Sequence, residues 1–207
     1  MNGQTRVVSL EAKKSEASAN IGLFEDELLA LDDFNTVRAD AAQRSLRRSL
    51  SDIDELTRAA RWEDLLALFH PVEEKVPELV ENRLDLEVRA RVAFALGQVK
   101  RFDEAIEALK ICVTRDPENF HYHSSLAYTA YNSLYAARNK EIFLSGNPRR
   151  ERMELAHTHF KQARQLRPDG VTNFYRDGML FRQIERKTDL ALPLFEKAVA
   201  NWDLLDE

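Results

Sequence analysis

The 207-residue sequence predicts an all-α chain of stacked antiparallel helix pairs, and three observations carry that prediction. The composition favours helix: 31% of residues are Asp, Glu, Lys or Arg, 44% are apolar, and only 6 Gly and 6 Pro interrupt the chain. A 34-residue unit, LEVRARVAFALGQVKRFDEAIEALKICVTRDPEN, stands out from Leu86 to Asn119. Small, large and stop residues then recur at common offsets on either side of it, as an internal repeat requires.

Residues 1–21 are polar and without periodicity, which predicts a disordered tail. Residues 22–45 hold an acidic amphipathic segment, GLFEDELLALDDF, and the start of the first helix. Leu23, Phe24, Leu28, Leu29 and Leu31 give that segment an apolar face that needs burial. From Asn35, a favoured N-cap residue, the spacing of Val37, Leu46, Leu50, Ile53 and Leu56 predicts a helix reaching about Ala60.

Residues 46–207 form the predicted repeat domain, with units of about 46–85, 86–119, 120–170 and 171–202. Ala105, Leu109, Cys112 and Pro117 are followed 51 residues later by Ala156, Phe160, Ala163 and Pro168. A further 35 residues bring Ala191, Phe195 and Ala198. Upstream, a shift of 40 gives Leu65, Phe69, Val72 and Pro77, with Trp62 matching Phe102. Two helices approach closely only where one carries a small side chain, so the alanines mark crossings and the large residues fill the next turn. Proline past the helix cannot continue it. Leu65 breaks the small-residue rule, which makes the upstream unit a degenerate cap. The 51-residue step exceeds the period by 17, and the excess lies between Ala130 and Met153. Ala127, Ala130, Tyr131, Leu134, Tyr135 and Ile142 keep a helical period, with loop signals only at Ser145–Pro148. Two lengthened helices, each longer by roughly two turns, are the prediction. The closing NWDLLDE has no Pro or Gly stop, which suggests a fragment or a chain that pairs with another element.

The stretch RFDEAIEALKICVTRDPEN resembles the second half of a tetratricopeptide repeat, with Phe102 as the turn aromatic, Ala105 at the crossing and Pro117 as the stop. The resemblance spans about residues 46–202 and is best over 86–119; Arg89 departs from it, standing where many relatives carry tryptophan. It implies a right-handed superhelical stack, an α-solenoid with one pair lengthened, whose first helices line a concave groove for a peptide or partner helix. Aligning the units at Leu86, Phe120 and Val171 places Glu87, Ala90, Phe94 and Gln98 on that groove. His121, Ser124, Tyr128, Tyr131 and Asn132 come next, then Tyr175, Met179, Arg182 and Gln183. The binding candidates among them are Phe94, Gln98, Tyr128, Tyr131, Asn132, Tyr175, Met179 and Arg182, because aromatic rings with polar handles suit a binding surface. Tyr131 and Tyr135 fit equally well as packing within the lengthened pair, while Tyr128 and Tyr175 are expected to be exposed. Relatives that clamp a chaperone C-terminus use Lys, Asn and Arg where this chain has Ala90, Phe94, Ser124 and Tyr128, so that clamp is absent.

Other chemistry finds little support. A formal charge of −5 argues against nucleic acid and gives no general attraction for an anionic membrane. One basic cluster, Arg138, Lys140, Arg149, Arg150 and Arg152, sits at the projecting tip with Glu141 and Glu151, a candidate patch for an acidic partner. His121 and His123 are two apart, as are His157 and His159; such neighbours on a helix diverge, so no metal site and surface histidines are expected. The one cysteine, Cys112, excludes an intrachain disulfide and matches small core positions. No apolar run of about 18 residues and no secretory signal occur, which points to a cytoplasmic protein. No phosphate loop, serine elbow or framed carboxylate pair is present, so neither catalysis nor a cofactor is expected. The function implied is a scaffold or adaptor for a protein or peptide partner; the alternative is an N-terminal regulatory or sensing module of a longer enzyme or signalling protein.

Overall fold

A computed structural model describes residues 36–204 and divides the chain into two compact units, residues 1–45 and 46–207. Of the first unit only residues 36–45 are described, as the opening turns of helix α1 over residues 36–58. The predicted tail, the acidic segment and the Asn35 cap lie outside the described residues.

In the second unit the helices follow one another with short turns. They are α2 (Trp62–Phe69), α3 (Val72–Lys75), α4 (Pro77–Glu81), α5 (Leu86–Gln98), α6 (Phe102–Arg115), α7 (Phe120–Arg138), α8 (Gly146–Leu166) and α9 (Val171–Met179). A π-helical turn over Leu180–Glu185 extends α9, and α10 (Thr188–Ala200) and a 3-10 turn (Trp202–Leu204) complete it. No strand occurs among the described residues. Pairs α5–α6, α7–α8 and α9–α10 pack side by side, and one apolar core runs from Ile53 of α1 through α2 and the first two pairs to Leu180 and Ile184 of the π-helical turn.

The repeat positions explain the packing. Ala105, Ala156 and Ala191 are all fully buried at the helix crossings, and Leu109 and Phe160 fill the turn beyond. Gly178 serves the last crossing: a Cβ there would lie 2.6 Å from the Phe195 ring. Cys112 is buried like its counterparts Ala163 and Ala198, donates to the Leu86 carbonyl at 3.5 Å, and has its thiol pushed up to about 12 by burial.

Helices α7 and α8 have 19 and 21 residues against 13 and 14 for α5 and α6, so the extra length is helical. The turn between them differs from the expectation. Helix α7 ends at Arg138, Ile142 lies in the connection, and the Ser145–Pro148 stretch opens α8 with Pro148 in its first turn, where a missing N–H costs nothing. The upstream unit also differs: its second helix is broken into α2, α3 and α4. Pro71 cannot supply the N–H that would continue α2, and Pro77 starts a further turn rather than closing the unit.

Arg89, the departure from the tryptophan pattern, is buried with its charge answered. Its Nη2 donates to Asp85 Oδ2 at 2.9 Å and its Nη1 to Glu73 Oε1 at 2.8 Å. Arg115 donates to the same Oδ2 of the fully buried Asp85 at 2.9 Å, joining α6 to the head of α5. Burial opposes the Arg89 charge, yet its hydrogen bonds to Asp85 and Glu73 outweigh it and hold the guanidinium above its ordinary range.

Candidate partner-binding groove

Helices α5, α7 and α9 contribute to a single cleft of about 240 Å³ lined by Ala90, Phe94, Leu109, Ser125, Tyr128, Thr129 and Arg176. A cleft of about 520 Å³ adjoins it and shares Ala90, Phe94 and Ser125, adding Glu87, Arg91, Asn119, His121 and Tyr122. A third, more apolar cleft of about 620 Å³ lies between α9 and α10, lined by Val171, Thr172, Tyr175, Met179, Arg182, Phe195, Ala198, Val199 and Trp202.

The helices place these side chains by ordinary periodicity. Asn119 caps α7 by accepting the His121 N–H at 3.1 Å, which fixes the register that brings Ser125, Tyr128 and Thr129 to the cleft. Ser124, one residue earlier, is turned to α9 and donates to Asn173 Oδ1 at 2.6 Å. Phe94 packs edge-on against Trp62, centroids 5.6 Å apart, yet remains 46% exposed. Tyr175 is 51% exposed beside Phe195.

The predicted residues therefore divide. Phe94 and Tyr128 share the first cleft; Tyr175, Met179 and Arg182 line the third; exposed Gln98 and half-buried Asn132 line none of the three. Tyr131 leaves the surface: it is buried between Tyr128 and Tyr135, and its hydroxyl donates to Gln183 Oε1 at 3.0 Å. Burial pushes its phenol up to about 12. Tyr128 is half-buried because the Arg176 guanidinium covers its ring, 3.7 Å from the centroid. Sequence reasoning passed over Arg176; the signal was its place one residue after Tyr175, where the helical step turns it toward α7.

The basic tip is smaller than its sequence suggests. Arg138, Lys140 and Arg150 are exposed and Arg149 is half-buried, but Arg152 is turned inward and hydrogen-bonded to Asp103 of α6. Arg138 reaches over the Tyr135 ring and Arg150 donates to Asn147. Beside them Phe143 is 91% exposed, and Glu141 is paired to Lys100 at 2.7 Å.

Three histidines expected on the surface are instead built into helix contacts. His123 is buried; its Nε2–H donates to the Pro117 carbonyl at 2.9 Å, leaving Nδ1 to accept from His159 Nδ1–H at 2.8 Å. Burial, then the neighbouring His123, pulls His159 down to about 4. His157 lies between two carboxylates, with Nδ1 2.9 Å from Asp177 Oδ1 and Nε2 2.5 Å from Glu185 Oε1. Burial opposes its charge, but those two bonds raise its pKa. Both ring nitrogens are thus occupied, and neither is left to move a substrate proton. Among the described residues no three His, Cys, Asp or Glu side chains gather to hold a metal, and no helix is long and apolar enough to cross a membrane.

No family model matches the chain, and no curated protein matches it. Among solved structures, TTC0263, a thermophilic TPR protein in Thermus thermophilus, superposes over 76% of this chain and 75% of its own, with a TM-score of 0.59 and 20% identity. MamA (AMB-1) matches over 59% of this chain with 22% identity and a TM-score of 0.43, and the match spans 62% of the MamA chain, less than two thirds of its length. With buried alanines at each crossing, paired helices of repeating register and the TTC0263 superposition, the chain has the tetratricopeptide-repeat fold.

Proposed function

We propose that the second unit is a scaffold or adaptor module that binds a peptide or helix of a partner protein along the clefts of α5, α7 and α9. The observation that carries this reading is the exposure of Phe94 and Tyr175, two rigid aromatic side chains each set in a concave surface. Aromatic anchors offer more binding free energy per side chain than charges at a rim, which water and salt screen. The rest of the tip, exposed Arg138, Lys140 and Arg150 with half-buried Arg149, is the competing surface, and its contribution would be weak and salt-sensitive. Binding, not catalysis, is the role these side chains suit.

A random peptide library selected on the wild-type protein tests the choice. Phe94→Ala with Tyr175→Ala is expected to cost about 2 kcal/mol or more in binding the selected peptides, roughly 30-fold. Replacing Arg149 and Arg150 by serine is expected to leave binding within about twofold at physiological salt. Full binding by the aromatic variant, with loss in the tip variant, would move the site to the tip.

A further inference from the structure

Arg176 is the one charged side chain lining the cleft shared by α5, α7 and α9. It has no hydrogen-bond or ion-pair partner among the described residues. Its neighbour in sequence, Asp177, is committed on another face of α9 to His157 and Arg164. The nearest acidic side chain in the adjoining cleft, Glu87, is paired with Arg91, which also holds Asp54 at 2.5 Å. The other residues that line the cleft are Tyr128, Ser125, Thr129 and apolar Ala90, Phe94 and Leu109, none of them acidic. Burial lowers its pKa, but an arginine so placed stays charged. The fold therefore keeps a half-desolvated cation over an aromatic ring, 3.7 Å from its centroid, with no carboxylate paired to it.

We infer that Arg176 receives the side-chain carboxylate of an aspartate or glutamate within a bound peptide. A guanidinium held over the Tyr128 ring keeps its N–H donors for a ligand, its planar fork matches a carboxylate bidentately, and the low-dielectric walls strengthen that pairing. Ser125 and Thr129 line the same cleft and carry the hydroxyls of its otherwise apolar and aromatic wall. A side-chain carboxylate fits better than a chain terminus. The cleft continues through Ala90, Phe94 and Ser125 into the adjoining one, which gives a peptide chain room to extend beyond the pairing. The inference rests on the groove reading and adds to it an acidic residue flanked by apolar ones as the recognised chemistry.

The test selects a random library of N-acetylated, C-amidated peptides on the wild-type protein and on Arg176→Met, Arg176→Lys and the Phe94→Ala, Tyr175→Ala pair. Wild type is expected to enrich Asp or Glu at one position, and Arg176→Met to lose that preference and weaken the selected acidic peptides at least roughly tenfold. Arg176→Lys is expected to fall between them, because it keeps the charge without the fork. Arg176→Met should also melt no lower than wild type, since it removes a half-buried cation that no carboxylate pairs and keeps an apolar contact on the Tyr128 ring. An unchanged acidic preference in Arg176→Met overturns the inference, as does stronger binding of phosphoserine or free C-terminal carboxylate peptides than of the capped acidic ones. If the aromatic pair loses binding while Arg176→Met does not, the groove stands and the carboxylate receptor falls; if neither variant loses binding, both readings fall.

Discussion

Asp85 shows how much one side chain can hold. It is fully buried at the head of α5, and its carboxylate faces Arg89, whose side chain is 5% exposed, and Arg115 from α6. Removing it would leave Arg89 in the core with only the solvent-facing Glu73 as a partner, and breaking a buried pair from one side costs more than the pair itself contributes. Asp85→Ala is therefore expected to lower the free energy of unfolding in urea by about 3–5 kcal/mol. Replacing Asp85 and Arg89 together by leucine and methionine should recover much of the loss, since no orphaned charge remains. A single variant as stable as wild type would show that solvent reaches Arg89. The sequence displayed half of this cluster. Asp85 and Arg89 stand four apart, a readable helical pair, and Arg89 was visible as a misfit to the repeat. Arg115, 30 residues away, becomes their neighbour only when α6 folds back on α5.

At the scale of elements, α8 carries two histidines that respond to acid in opposite ways. His159 has its folded pKa depressed from 6.5 to about 4, so the folded chain binds fewer protons than the unfolded one between those values. Its contribution to stability is present above about pH 6.5 and is lost as the pH falls toward about 4. His157 has its folded pKa raised by Asp177 and Glu185, so its contribution is complete below about pH 6.5 and is lost as the pH rises through the elevated folded value. In urea titrations, His159→Asn is expected to lose less stability than wild type between about pH 7 and about pH 5. His157→Gln is expected to lose less than wild type on the alkaline side of about pH 6.5. Parallel stability profiles for wild type and both variants would mean that neither ring titrates differently in the fold. Spacing within α8 could not reveal these roles, because the partners come from α7, α9 and the π-helical turn. Helix ends were hidden for a related reason. The turns after α1, α4, α5 and α7 place Ala60, Arg83, Lys100 and Lys140 at positive φ, and each is followed by an N–H bonded back five residues, as from Arg101 to Leu96 at 2.9 Å. Glycine ordinarily announces such a cap, and here it does so at none of the four. The alanines of the repeat and its stops at Pro117 and Pro168, by contrast, could be read directly, since crossing and stop are properties of one residue type; Pro77, which opens α4, could not.

Across the second unit, stability should be graded along the stack. Each helix pair buries its face only against its neighbours, so local opening is cheapest where a helix contributes least to the shared core. Helices α5 and α6 each bury six residues, among them Val92, Leu96, Ile106 and Leu109. Helix α10 buries only Ala191 and Ala198, while Leu190, Leu192 and Val199 on it stay exposed, as does Trp202 beyond it. Pro193 inside α10 also lacks the N–H that would bond to the Asp189 carbonyl. Small buried side chains release little apolar surface when they leave, so detaching α10 forfeits far less than detaching α6. Native-state hydrogen exchange should therefore find α10 amides exchanging through an opening of lower free energy, and lower denaturant dependence, than the amides of α5 and α6. The order follows from the core rather than from position in the chain: Gly178 and Phe195 seat α10 on α9 through one close approach, and without other large buried anchors that contact cannot tie α10 to global unfolding. Equal exchange free energies in α6 and α10 would show that the unit unfolds as one cooperative block and that the exposed leucines are covered in solution.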